Sequence, residues 1–252
     1  MYIDYGPLST LYYDLSKPIG HSLDGDIEFY REQLADISGT ILEPAVGTGR
    51  ILVPLLQAGF DIEGLDNSAF MLEKCQQNCQ QYGQLAQLYQ ADMTSFNLVK
   101  RYDAIIIPTG SFCLITDFQQ AKKALKACYM HLNKGAKLIV DLDFPMQWKD
   151  QKETVYSLPI NAQKGLLLTA RQQAISWHTQ TTEQLLKYEL YEKGVLTQTE
   201  LQRFVLRWYG LEEFRLLLNS IGFTKVRCCA DYDWSKPAQQ AMNTVTFEAI
   251  KA

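Results

Sequence analysis

Three carboxylates stand at or just past the ends of apolar runs in the first half of this 252-residue sequence: Glu43 after Ile41-Leu42, Asp66 after Gly64-Leu65, and Asp92 after Gln90-Ala91. Glu43 opens a turn of small residues, Pro44-Ala45-Val46-Gly47-Thr48-Gly49. Glycine at 47 and 49 lets the backbone approach a ligand closely and present N–H groups to it. A carboxylate roughly 20 residues beyond such a turn, as Asp66 is, can accept from both hydroxyls of a ribose. With Asn67 it can equally cap the next helix. Asp92 can accept from an adenine amine while Met93 packs on the ring face; the alternative is a polar loop followed by a core methionine. Glu43 sits poorly beside two phosphates, and it suits a ligand with a cationic or hydrogen-bond-donating centre.

These residues need elements that hold them at one edge. Short apolar runs at 40–42, 60–65, 85–89, 104–107 and 137–140 alternate with amphipathic stretches, the pattern of a parallel sheet covered by helices. Helices are expected at 51–56, at 68–81 behind a Ser68 cap, at 117–131 behind an Asp117 cap, and at 211–220, where Gly222 closes the turn. Strands at 224–229 and 244–250 complete the set. The fold class is α/β: a Rossmann-like, seven-stranded, mostly parallel sheet with helices on both faces, and a small antiparallel β insertion after the fifth strand. That insertion is read from two or three extended segments across 166–207, with Lys193-Gly194 as a hairpin turn. Residues 1–38 are expected to form an N-terminal helical cover, 39–150 and 210–252 the Rossmann-like domain, and 151–209 the insertion, acting as a lid or a homodimer contact.

Composition narrows the partners. The net charge is -4 and no basic stripe is present, so a nucleic-acid partner is not expected. Residues 1–11 lack a signal-peptide pattern, and no run of about 18 apolar residues would span a membrane. A cytoplasmic location follows as the expectation. The six cysteines lack zinc-type spacing, so they are read as reduced, mostly buried thiols, with no metal site.

The run Leu42-Glu43-Pro44-Ala45-Val46-Gly47-Thr48-Gly49-Arg50, then Leu65-Asp66-Asn67-Ser68, Met71-Leu72 and Ala91-Asp92-Met93, resembles the successive motifs of class I S-adenosylmethionine-dependent methyltransferases of the small-molecule type. Leu132-Asn133-Lys134-Gly135-Ala136-Lys137 resembles the family's Leu-x-Pro-Gly-Gly signature before the fifth strand, without its proline and second glycine. Ala45 replaces the usual first glycine. The resemblance covers about 40–143 and returns at the late helix and strand. It implies S-adenosylmethionine as cofactor and S-adenosylhomocysteine as product. Glu43, Ala45, Gly47, Thr48 and Gly49 would face the methionine part, Asp66 with Asn67 the ribose, Asp92 and Met93 the adenine, with Met71 close by. Pro108 and Thr109 would line the methyl-donor end, and Tyr12 or Tyr13 in the N-terminal segment would close the site.

Methyl transfer from a sulfonium is an in-line displacement, so the protein mainly aligns a nucleophile and excludes water. The segment 108–112 lacks the Asn/Asp-Pro-Pro-Tyr/Phe run of enzymes that methylate bases or amides. Thr109, Ser111 and Phe112, with Tyr12, Arg171, Arg207 and Tyr209, are the candidates for holding an acceptor, and Trp177 could join them as an aromatic wall. His21, His178 and Asp143 are the candidate bases, whereas His131 is read as a favourable charge at a helix end. The expected activity is methylation of O or N on a small molecule. The rivals are an NAD(P)-dependent Rossmann oxidoreductase, which would want a third glycine, and a non-catalytic S-adenosylmethionine-binding module.

Overall fold

The computed structural model describes residues 2–146 and 148–252. Two helices come first, α1 (Pro7–Ser16) and α2 (Asp26–Gln33). The alternating unit follows: β1 (Ile41–Pro44), α3 (Leu52–Gln57), β2 (Ile62–Asp66), α4 (Ala69–Gln81), β3 (Leu88–Gln90), β4 (Tyr102–Ile107), α5 (Phe118–His131) and β5 (Leu132–Asp143). Four long strands interrupt it: β6 (Glu153–Asn161), β7 (Lys164–Ser176), β8 (Thr181–Glu192) and β9 (Val195–Arg207). The chain then returns through α6 (Leu211–Ile221), β10 (Phe223–Ala230) and β11 (Thr244–Lys251).

The main sheet has seven strands in the order β10-β11-β5-β4-β1-β2-β3. All its pairings are parallel except those of β11, which runs antiparallel to both β5 and β10. β1 and β4 are the central strands, and their side chains are buried on both faces, as near-continuous apolar runs require. Two cores result. One face packs α5 and α6 through Leu125, Phe214 and Phe247; the other packs α2, α3 and α4 through Tyr30, Leu52 and Cys75. Because β2 lies on one side of β1 and β4 on the other, a crevice opens at the carboxyl ends of these strands, where open α/β sheets bind ligands.

The predicted caps form. Ser68 Oγ accepts from Met71 N–H and Asp117 Oδ1 from Gln120 N–H, while Gly222 takes the left-handed conformation that ends α6. Boundaries move at the third strand, which starts at Leu88; Leu85 is 92% exposed and adds nothing to a core. The insertion holds four strands in the order β6-β7-β8-β9. β6 escaped the sequence pattern because it is an edge strand carrying Pro159, and neither of its faces is mostly buried. The second sheet lays one face on α1, burying Leu8 against Leu166, Leu168, Leu186, Tyr188 and Leu190. α1 has only Gly6 at its cap position, and its first amides are satisfied from far along the chain: Glu200 accepts from Leu8 N–H at 2.8 Å and Ser9 N–H at 3.1 Å.

All six cysteines are free thiols and five are buried. Among the described residues, no helix is long and apolar enough to cross a membrane, and no group of three or more His, Cys, Asp or Glu side chains is placed to hold a metal ion.

Candidate functional site

A cavity of about 750 Å³ opens at the carboxyl ends of β1, β2 and β3. Ala45, Gly47, Asp66, Asn67, Met71, Asp92 and Met93 line it, as does Tyr13 from α1. These are eight of the twelve residues expected around the cofactor. Local chemistry holds them. Asp66 Oδ2 accepts from Gly47 N–H and Oδ1 from Ser68 N–H, both at 2.9 Å, so one carboxylate joins the glycine turn to the start of α4. Burial pushes the Asp66 carboxyl above its usual range, against the pull of those amides. Asp92 Oδ1 accepts from Thr94 N–H at 2.7 Å, which fixes the loop after β3.

Glu43 does not line the cavity surface. It lies beneath the turn, almost fully buried, and its Oε2 has no hydrogen-bond partner. Burial drives its carboxyl well above the usual range, with Arg50 pulling the other way. A buried carboxyl oxygen with no donor is costly, and the raised pKa lowers that cost by favouring the neutral form. Thr48, Gly49 and Pro108 point elsewhere. Thr48 is buried and its carbonyl accepts from Asn78 Nδ2, Pro108 is buried at the end of β4, and a β-carbon at Gly49 would come within 2.8 Å of Cys75 Sγ, so that glycine serves close packing on α4.

Ala45 adopts φ 57°, the left-handed region that glycine occupies without strain. Ala45→Gly is therefore expected to stabilise the protein by about 0.5–1 kcal/mol, read as a higher urea midpoint at unchanged slope.

The N-terminal segment closes one side of this cavity. Tyr2, Asp4 and Tyr5 line it, and Ser68 Oγ donates to Tyr5 O at 2.8 Å. Asn78 Nδ2 and Lys74 Nζ both reach Asp14, tying α1 to α4. β9 contributes Gln202, Arg203, Phe204 and Val205. No motif marked these residues; they are placed by topology. Tyr12, the alternative to Tyr13, instead stacks at 5.7 Å on Tyr188 of the second sheet, because neighbouring residues of a helix face different ways.

A second cavity, of about 430 Å³, lies beyond the end of β4. Thr109, Asp143, Lys17, Trp148, Trp208 and Tyr232 are among its walls. Thr109 is a β-branched residue at φ 52°, a strained position held by its N–H donating to Asp141 Oδ2 at 2.8 Å. Asp141 is fully buried and also accepts from Thr246 Oγ1 and Tyr232 OH. Burial pushes its carboxyl up to about 6, against those donors. A carboxyl raised on folding stabilises the protein fully below the ordinary value of about 4, and that contribution is lost as pH rises to about 6. Asp141→Asn removes this slope. Between pH 4 and pH 7 the variant's unfolding free energy relative to the parent, from urea titrations, is expected to rise by about 2–3 kcal/mol.

Several expected acceptor residues are not at this cavity. Ser111 lines the first cavity, on the other side of Gly110 from Thr109. Phe112 and Tyr209 are fully buried, packed on each other and on Phe214. Arg207 pairs with Glu213 and anchors the return of the chain into α6. Arg171 reaches Gln151 at the surface, and Trp177 is 72% exposed. The cause is strand alternation: the second sheet turns Gln172, Leu206 and Trp208 toward the cavity, each adjacent in sequence to a residue chosen from the opposite face. His21 and His178 are exposed and line neither cavity. His131 is a structural link, since Nε2 accepts from Leu98 N–H and Nδ1 faces Ala127 O, an arrangement that requires the neutral ring. Asp143 is the one candidate base placed at a cavity, and burial raises its carboxyl while Lys17 opposes the shift.

Residues 41–135 match the family model for a methyltransferase domain. The matched segment carries the glycine turn and the first four strands of the main sheet. Among sequence relatives, the glycine/sarcosine N-methyltransferase of Halorhodospira halochloris is 37% identical over 117 residues, 45% of this chain and 44% of that protein. Its counterpart from Aphanothece halophytica is 30% identical over 103 residues, 40% and 39% of the two chains. The matched stretch thus spans less than half the length of either relative. Among solved structures, the sugar N-methyltransferase KedS8 from Streptoalloteichus sp. has a TM-score of 0.79 at 19% identity, covering 100% of this chain and 96% of that one. A methyltransferase from Clostridium acetobutylicum has a TM-score of 0.78 at 17% identity, covering 96% of both. At such identities the likeness is one of fold. The family match holds most of the first cavity's lining, but of the second cavity's described lining only Thr109 falls within it.

Proposed function

We propose that this protein transfers the methyl group of S-adenosylmethionine to the nitrogen of a small amine. The observation that carries this reading is the cavity at the strand ends, lined by Gly47 of the glycine turn and by Asp66 and Asp92 at or just past the ends of the next two strands. Those acceptors suit the hydroxyls of a ribose and the amine of an adenine in turn, and a cavity of about 750 Å³ accommodates a nucleoside with its amino-acid arm. When bound, S-adenosylmethionine supplies a methyl group already activated on a sulfonium. Asp66 accepts from the ribose hydroxyls with lone pairs that Gly47 and Ser68 leave free. Tyr5, Tyr13 and β9 cover the cavity and exclude water.

Nitrogen is favoured over oxygen on chemical grounds. A hydroxyl must lose its proton to become a good nucleophile, and among the described residues no imidazole lines either cavity. A neutral amine attacks with its own lone pair, and Asp143 is available for the proton that its ammonium form must first give up. The N-methyltransferase names of the relatives agree with this choice.

Calorimetry tests the reading. S-adenosylhomocysteine is expected to bind with micromolar affinity and NADH not at all. With S-adenosylmethionine present, S-adenosylhomocysteine release should follow addition of amines but not of the matching alcohols. Binding of NADH in its place would restore the oxidoreductase alternative. Tight cofactor binding without turnover on any acceptor would leave a binding module.

A further inference from the structure

The second cavity is built almost wholly by residues outside the matched methyltransferase segment. It abuts the donor cavity through one strained turn, since Thr109 lines one cavity, Ser111 lines the other, and Gly110 lies between them. A β-carbon at Gly110 would overlap the Asp143 carboxylate, which places that acid against the junction. Thr244 Oγ1 donates to Asp143 Oδ1 at 3.3 Å, and Lys17 lies close enough to favour its charged form.

Size, charge and lining constrain what fits. A volume of about 430 Å³ far exceeds what glycine or sarcosine fills. The charged side chains on the wall are Lys17, Asp24 and Asp143, a net of -1 (one positive, two negative), which attracts a cationic amine and repels an acceptor that also carries a carboxylate. The rest of the wall mixes two indoles, Trp148 and Trp208, with uncharged hydrogen-bonding groups such as Gln184 and Thr182. Flat apolar faces beside neutral donors and acceptors match a ring that has C–H faces and a hydroxylated rim.

We propose that this cavity takes an amino sugar, with the amine at Asp143 and the ring between the indoles and the amides. The proposal rests on the N-methyl transfer reading and names its substrate class. In the transfer, the bound ammonium first gives a proton to Asp143; the freed amine lone pair then forms the new N–C bond as the C–S bond breaks, and the C–S electron pair stays on sulfur. The methylated product leaves as the ammonium or gives its proton to water, and Asp143 returns its own proton to solvent.

The test uses the full chain saturated with S-adenosylhomocysteine. It is titrated with the methyl glycosides of glucosamine and of its regioisomers bearing the amine at neighbouring ring carbons, and separately with glycine and sarcosine. The same compounds are then offered with S-adenosylmethionine, and added methyl groups are read by mass spectrometry. At least one amino sugar is expected to bind and be methylated, with glycine and sarcosine untouched. Asp143→Asn should lose about tenfold or more in kcat/KM, and Gln184→Leu should raise KM with kcat largely kept, both binding S-adenosylhomocysteine as the parent does. Preferred methylation of glycine, or cofactor binding with no amino sugar bound or methylated, overturns the substrate class and leaves N-methyl transfer standing. Failure to bind either adenosyl compound overturns the function itself.

Discussion

Asp66→Ala is expected to weaken S-adenosylhomocysteine binding by about a hundredfold or more, measured by calorimetry against the parent. Two ribose hydroxyls donating to one carboxylate contribute about 1.5–3 kcal/mol each, and about 1.4 kcal/mol is a factor of ten. The substitution also releases Gly47 N–H and Ser68 N–H, which Asp66 holds at 2.9 Å, so the glycine turn loses its tie to α4. Asp66→Asn separates these effects. Its amide oxygen can still accept from one backbone N–H while the charge is gone, so it should fall between the parent and the alanine variant. An affinity in Asp66→Ala within about threefold of the parent would remove this residue from the cofactor site.

The largest loss of stability is expected from Asp26. Its carboxylate is fully buried and accepts from Ile27 N–H, Leu23 N–H and the Arg50 guanidinium, itself only 2% exposed. Arg50 also donates to His21 O at 3.0 Å, so one ion pair fastens the N-terminal helices to the residue just after the glycine turn. Asp26→Ala strands a buried guanidinium and should cost about 3–5 kcal/mol. In a chain of this size that lowers the melting temperature by about 10 °C. Adding Arg50→Met should recover part of the loss, since no uncompensated charge then remains, but not the caps on Leu23 and Ile27. An Asp26→Ala variant melting within a degree or two of the parent would contradict this account.

How much of this was legible in the sequence depended on where the signal lay. Apolar strands leading into the glycine turn, Asp66 and Gln90-Ala91-Asp92 put chemistry and position in the same few residues, so the floor of the first cavity is legible directly. The caps at Ser68 and Asp117 were equally local. Its roof was not, since Tyr5 and Gln202 meet through packing between distant segments. Across the insertion the alternation was visible but its phase was not. Arg171 and Arg207 stand one residue from Gln172 and Leu206, and in a strand a slip of one residue reverses every side chain. Arg50 was visible as the last residue of the glycine motif, but its buried partner Asp26 lies 24 positions earlier and carries no motif of its own.

The cap that Glu200 places on the first turn of α1 bridges 192 positions. The segment 41–135 can assemble its strands and its glycine turn from neighbours in sequence, but the donor cavity has no roof until β9 has met α1. During synthesis, therefore, β1 to β4 can pair early on contacts close in sequence, while the closed cavity, and the α6, β10 and β11 part of the main sheet, arrive only after the ribosome has passed residue 205. A chain cut short within the second sheet would lack both an enclosed place for its ligand and the β11 strand that covers the edge of β5.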